Sequence, residues 1–216
     1  MNRLTEEILA SCEWRNSELE NLKKIGIVTF NSQKQKVKEQ YFRMCIPYIY
    51  AHWEGFIVES FKLLITYLNS LNLNKDLVIE NIYTFSLLNT LKPLSGKQSF
   101  EQCSEFINKF TCEYGKKLFI PPSSFTTKSN LTYKQLLIIF KWFGMINNCS
   151  RFEFNINRLV IQRNRIAHGE NGIIIQYKDI EEFCDTLQKI FDILVVTFDD
   201  YLNNESYLKP RLLLEL

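Results

Sequence analysis

From Gln33 to Leu71, apolar side chains recur at three- and four-residue steps: Phe42, Cys45, Ile46, Ile49, Trp53, Phe56, Ile57, Leu64, Tyr67 and Leu68. That period predicts a long helix with one buried face. Pro47 falls inside it and predicts either a kink or a boundary between two collinear helices. Upstream, acids and bases alternate around Leu4, Ile8, Leu9, Leu19 and Leu22. This predicts a helix over residues 5–24 ended by Gly26, with residues 25–32 as a loop. Beyond residue 130, Leu136, Leu137, Phe140 and Phe143 predict a helix capped by Asn130 or Thr132 and running through Gly144. A further helix over about residues 153–168 stops at Gly169, a residue suited to a left-handed C-terminal cap. An extended piece at Ile173-Ile174-Ile175 follows. Asp179 and Glu182 then form a D-x-x-E capping box that opens the last helix, with Phe183, Leu187, Phe191, Leu194, Phe198 and Tyr201 on one face.

Residues 74–130 are less regular. Helices are predicted over 75–91 and 99–114, broken by Pro93, Ser95 and Gly96, and Ile120 to Ser124 is a loop. The stretch reads as an irregular helical insertion whose composition does not set it apart as a second domain. The chain of 216 residues is therefore expected to be all-α and to fold as a single domain.

Composition narrows this further. With 7 Gly and 5 Pro, the chain has too few turn residues for the hairpins of a sandwich or barrel. A net charge of +2 does not by itself imply nucleic acid, so phosphate binding must come from a local cluster of Lys and Arg. The six cysteines show no CxxC spacing and the two histidines lie near no Cys pair, which argues against zinc and for reduced thiols in a cytoplasmic protein. No metal or other cofactor is expected. The N-terminus has no signal-peptide pattern, and no apolar run reaches membrane-spanning length.

Two residues break the pattern on the 153–168 helix. Ile156, Leu159, Val160, Ile166 and Ala167 form its apolar stripe, yet Arg163 stands near the middle, where a Leu is expected. Such an Arg is a buried ion pair, a snorkelling side chain, or a cation aimed at an anion in a cleft. His168 ends the same helix, where the negative end of the helix dipole favours its imidazolium form. It serves either as part of the cap or as a group that gives and takes a proton near neutral pH. Asn164 is placed to orient the ring, and Arg165 adds a second positive charge. On an ideal helix Arg163 and His168 lie about 140° apart. They converge on one phosphate only if the last turn distorts or a second subunit contributes.

The run Arg163-Asn164-Arg165-Ile166-Ala167-His168-Gly169 resembles the R-x(4–6)-H signature of the HEPN superfamily. The segment Tyr50-Ala51-His52-Trp53-Glu54-Gly55-Phe56 resembles a second motif, found in a branch of compact prokaryotic HEPN proteins of conflict systems. The resemblance implies an all-α up-and-down bundle that dimerises and cuts RNA without a metal, with the Arg/His motifs of two subunits lining one cleft. It implies that Arg163 stabilises the charged phosphorane and that His168 acts as general base or acid on the 2′-hydroxyl and the leaving 5′-oxygen, both oriented by Asn164. The products would be a 2′,3′-cyclic phosphate and a 5′-hydroxyl. Arg165, His52 and Glu54 are expected to bind RNA or shape the cleft, with a hydrogen-bonded core role as the alternative for His52. An antitoxin or other regulatory protein is an expected partner. HEPN toxins paired with minimal nucleotidyltransferase antitoxins often carry a Tyr two residues after the motif His, where this chain has Glu170.

Three readings follow. The first is an RNA endonuclease acting as a toxin or phage-defence effector. The second is a non-catalytic HEPN module that binds RNA or protein through the same cleft, with Arg158, Arg163, Arg165 and the Lys34/Lys36/Lys38 run as its few cations. The third is a helical scaffold, which leaves Arg163 unexplained. The lysine run is also readable as a solvated helix face.

Overall fold

The computed structural model describes residues 2–32, 34–87, 99–113, 115–127 and 130–210. Seven α-helices occur among them: α1 (Arg3–Ser32), α2 (Gln35–Ser70), α3 (Glu80–Ser86), α4 (Phe100–Glu113), α5 (Tyr133–Phe143), α6 (Glu153–Ala167) and α7 (Tyr177–Asn203). The described residues contain no strand, only two isolated bridges, Asn74 with Lys117 and Val78 with Leu208. The architecture is an all-α bundle. The long helices α1, α2 and α7 pack on one another, α6 lies against α2, and α3 lies against α5.

The stripe on α2 is the centre of the core. Trp53, Phe56, Ile57, Phe61 and Leu64 are fully buried. Around Phe61 the rings of Phe125, Phe143 and Phe198 have centroids 5.6, 5.0 and 5.2 Å away, so three other elements meet one side chain. Burying such rings contributes about 2–3 kcal/mol each from transfer alone. Four cysteines, Cys12, Cys45, Cys149 and Cys184, belong to this interior as free thiols. Burial pushes their pKa up, to about 12 for Cys12 and Cys184 and about 11 for the other two, so they stay protonated.

Several expectations are corrected. The first helix does not stop at Gly26 but continues to Ser32. A Cβ at Gly26 would come within 2.9 Å of the Tyr177 ring, so the missing side chain is the space into which that ring packs. The helix tolerates an interior Gly, at about 1 kcal/mol relative to Ala, because packing from α7 offsets it. Of the two readings of Pro47, the boundary is overturned, since α2 is one helix of 36 residues with Pro47 inside it. Of the helix expected over 75–91, only Glu80–Ser86 is helical among the described residues. Residues before it are held in a turn by the bridges and by the Lys75 N–H bond to the Lys116 carbonyl at 2.9 Å. The break at Pro93, Ser95 and Gly96 lies outside the described residues. The last helix opens at Tyr177, and its capping box pairs Gln176 with Asp179 rather than Asp179 with Glu182. Glu182 instead takes an ion pair from Arg158.

The other boundaries agree with the pattern. Thr132 caps α5 by accepting from the Gln135 N–H at 3.2 Å, and Gly144 closes it with φ +65°. The middle third contributes Val78, Ile82, Phe85, Leu118, Ile120 and Phe125 to the same core as α2 and α7. α4 has no buried residue and is tethered from outside, by an ion pair between Glu113 and the buried Lys75 and by Phe110 against Tyr83.

Candidate functional site

Arg163 emerges from α6 against α2, and its guanidinium lies over the Tyr50 ring with Cζ 3.8 Å from the centroid. An Arg stacked this way is held flat, and the contact contributes roughly 0.5–2 kcal/mol. Its Nη1 donates to the Asn164 Oδ1 at 2.8 Å, and the Asn164 Nδ2 donates to the Asn130 Oδ1 at 3.2 Å. Asn164 thus orients Arg163 and the segment before α5. Its amide does not bond the His168 ring.

That segment is stitched to α2 from three sides. The Leu131 N–H donates to the Tyr50 hydroxyl at 2.8 Å, and the Leu131 carbonyl accepts from the Trp53 Nε1 at 2.9 Å. The Thr127 hydroxyl donates to the Glu54 carboxylate. Burial raises the Tyr50 phenol pKa, so the hydroxyl stays neutral as an acceptor for Leu131. Tyr50, Trp53 and Glu54 recur at helical spacing and form one bracket, with Thr127, Asn130 and Leu131 as the wall beside Arg163.

His168 sits at the other end of the α6 motif. It is the C-cap residue, with its N–H bonded to the Asn164 carbonyl at 3.0 Å. Gly169 follows at φ +78°, its N–H bonding the Ile166 carbonyl at 3.0 Å, while the Glu170 N–H reaches the Arg165 carbonyl at 3.1 Å. This pair of bonds is a Schellman closure, and the left-handed residue it needs is most readily Gly. The imidazole is exposed and accepts or donates no side-chain hydrogen bond among the described residues. The loop after it is anchored by Arg43 of α2, whose Nη2 donates to the Glu170 carbonyl at 2.7 Å and whose Nη1 reaches Asn171.

Other expected cations are committed elsewhere. Arg165 pairs with Glu170 at 2.6 Å, and Arg158 pairs with Asp179 at 3.3 Å and Glu182 at 3.0 Å. Among the described residues, no group of His, Cys, Asp and Glu has a metal-binding arrangement.

His52 is not brought to Arg163. Two residues after Tyr50, it points to the opposite side of α2, toward α1. There it is 5% exposed, with its ring against Tyr48 and Trp14 and its Nε2 3.2 Å from the Glu18 carboxylate. Beside it Arg15, itself 6% exposed, pairs with Glu59 at 3.0 Å. Gly55 makes this fit, since a Cβ there would lie 3.0 Å from the Arg15 guanidinium. The motif around His52 therefore works in two directions: Tyr50, Trp53 and Glu54 hold the Arg163 wall, while His52 and Gly55 lock α2 to α1. Sequence reading missed Tyr50, Asn130 and the Arg15, Glu18 and Glu59 set. Only Tyr50 carried a local signal, as the first residue of that motif.

The α1 seam has a pH signature. Burial lowers the His52 pKa from its ordinary 6.5; Glu18 opposes this and Arg15 adds to it. The folded chain then binds fewer protons at His52 than the unfolded chain, so stability falls as pH drops through 6.5 toward the folded value. Thermal melts between about pH 7 and pH 5 should show this loss, and His52→Gln should flatten it. An unchanged slope in the variant would assign the loss to other groups.

The family model described as RiboL-PSP-HEPN matches residues 10–204, which includes the Tyr50–Gly55 stretch of α2 and the whole Arg163–His168 run. The chain belongs to this HEPN family. No curated protein and no solved structure matches it. The all-α bundle is the architecture expected of a HEPN domain, and among its described residues no helix is long and apolar enough to cross a membrane. Membership of the HEPN family supports a ribonuclease or RNA-binding module as the general class.

Proposed function

We propose that this HEPN protein is a metal-independent RNA endonuclease whose catalytic groups are Arg163 and His168, with Asn164 as the residue that orients the arginine. The observation that carries the reading is the fixed guanidinium. Arg163 is stacked on Tyr50 and tied through Asn164 to Asn130, so its donors are preorganised for an anion without rearrangement. Tyr50 and Glu54 shape the cleft by holding its wall, and Arg165 and Glu170 form its rim.

In the reaction, a base removes the proton of the 2′-hydroxyl as the 2′-oxygen bonds to phosphorus. The bond from phosphorus to the 5′-oxygen breaks, and an acid delivers a proton to that oxygen. Arg163 offsets the charge that accumulates on the non-bridging oxygens. The products are a 2′,3′-cyclic phosphate and a 5′-hydroxyl.

Acid and base are two groups, and the chain has two histidines, of which His52 is buried in the α1 seam. A second copy supplies the second exposed imidazole. Phe154 and Ile161 precede His168 by fourteen and seven residues and share its face of α6, at 71% and 57% exposure. An apolar strip ending at the catalytic imidazole suits a two-fold interface, with both His168 residues in one cleft. The whole chain then acts as one HEPN domain, with 74–130 as a helical elaboration. A toxin or phage-defence role in the prokaryotic cytoplasm, held in check by a partner protein, is the one that the two motifs around His52 and Arg163 together suggest.

The test is cleavage of total RNA in EDTA with analysis of the ends. Cyclic phosphate and 5′-hydroxyl ends are expected. A 3′-hydroxyl, or binding without turnover, would overturn the nuclease reading, and the latter would leave an RNA-binding module.

A further inference from the structure

The lysine run at the start of α2 borders a cavity separate from the Arg163 cleft. The cavity, of about 370 Å³, lies between the end of α1, the start of α2 and the loop entering α7, and is lined by Phe30, Lys38, Phe42, Ile175, Tyr177 and Lys178. Its size falls within the range of ligand pockets. Three rings form its apolar wall, with the Phe30 and Phe42 centroids 6.0 and 6.2 Å from Tyr177. Tyr177 is seated there by Gly26, the position at which a side chain would collide with the ring. Phe30 keeps 50% of its surface in solvent, and the Lys38 ammonium lies 4.9 Å above its ring.

The charge at this mouth is uneven. Neither Lys38 nor Lys178 pairs with a carboxylate among the described residues, and Lys34 and Lys36 are exposed on the same first turns of α2. The one lining carboxylate, Glu39, accepts from the Gln35 amide at 2.8 Å. At the α7 N-terminus the box formed by Gln176 and Asp179 takes up the backbone donors of those two residues. Aromatic faces with unpaired lysines at the rim match single-stranded nucleic acid, in which each base has a face to stack and each link carries a negative charge.

Position supplies the connection to the cleft. Phe42 lines the cavity, Arg43 next to it anchors the loop after His168, and Tyr50 two turns further on carries Arg163. Eight residues of helix separate Phe42 from Tyr50, about 12 Å of rise. That distance is a few nucleotides at the stacked spacing of about 3.4 Å. We infer that the Phe30–Tyr177 cavity is a base-binding subsite for single-stranded RNA, taking one nucleobase a few nucleotides from the cut and its phosphates on Lys38 and Lys178. The inference rests on the RNA reading of the Arg163 cleft and adds the contact that would select where along a strand the cut falls.

The experiment uses the full chain carrying His168→Ala, so that RNA stays intact, and fluorescence anisotropy with labelled ten-nucleotide single strands. In a series of strands one base is removed at a time. For the parent, removal at one position away from the scissile pair is expected to weaken binding roughly five-fold or more, the scale of one stacked base. Phe30→Ala should weaken binding of the intact strand by a similar factor and abolish the effect of removing that base, so the two losses do not add. Lys38→Glu should weaken every strand and reduce the salt dependence. Phe30 is half-exposed, so folding survives its loss, as a thermal melt will verify. If base removal costs the Phe30→Ala protein as much as the parent, the subsite is wrong while the nuclease reading stands. If the parent binds no single-stranded RNA, both fall.

Discussion

Replacing His168 by Ala is expected to lower the single-turnover rate of single-stranded RNA cleavage by about 10²- to 10⁴-fold, the range of a general acid–base group. His168 is exposed at a helix end and has no side-chain partner to lose among the described residues, so its thermal melting should shift little. Activity lost without stability lost is the signature of a group that touches substrate. Arg163→Ala should fall as far, and Arg163→Lys should recover little of it. A lysine carries the charge but not the planar fork that stacks on Tyr50 and reaches Asn164. The measurement is a rate with end-labelled RNA in EDTA beside a melting curve of each variant. Cleavage at the parent rate in either alanine variant would remove that residue from the mechanism.

The second large effect is on stability. Trp53 is fully buried, and its indole N–H is the donor that holds the Leu131 carbonyl. Trp53→Ala should cost about 3–5 kcal/mol, from lost transfer energy and the cavity left behind. For a chain of this length that is a fall of roughly 6–20 °C in Tm. Trp53→Phe separates the two contributions. It keeps most of the packing and leaves the Leu131 carbonyl without its donor, at about 1–3 kcal/mol. Because Leu131 adjoins Asn130, the Phe variant should also weaken cleavage more than its melting curve explains. A Phe variant with parent stability would mean that the indole bond contributes nothing to the wall.

The period of apolar residues on α2, α5, α6 and α7 was enough to read the helices, since burial of one face and hydrogen bonds four residues apart are local facts. The caps at Thr132, Gly144 and Gly169 were legible for the same reason. Gly26 was misread as a stop because its purpose is set by Tyr177, far along the chain. The helix expected from residue 75 begins only at Glu80, because pairing of Asn74 with Lys117 and of Val78 with Leu208 competes with the helical pattern before it.

The same division runs through the site. That Arg163 stands where a Leu belongs, with His168 at the end of its helix, is a property of the sequence. Who holds that arginine is not. Tyr50 stacks on it from 113 positions away, while Asn130 acts through Asn164 across 34 positions and the Leu131 backbone through Tyr50 across 81, and such contacts leave no period to read. His52 and Glu54, two residues apart in one motif, were expected to act together. One faces α1 and the other the Arg163 wall, because α2 is packed on both sides and a step of two residues turns about 200° around it. An all-α chain with one misplaced arginine and one helix-ending histidine is legible in local order alone. Which side chains make that arginine a fixed one is not, since they converge through packing and not through order along the chain.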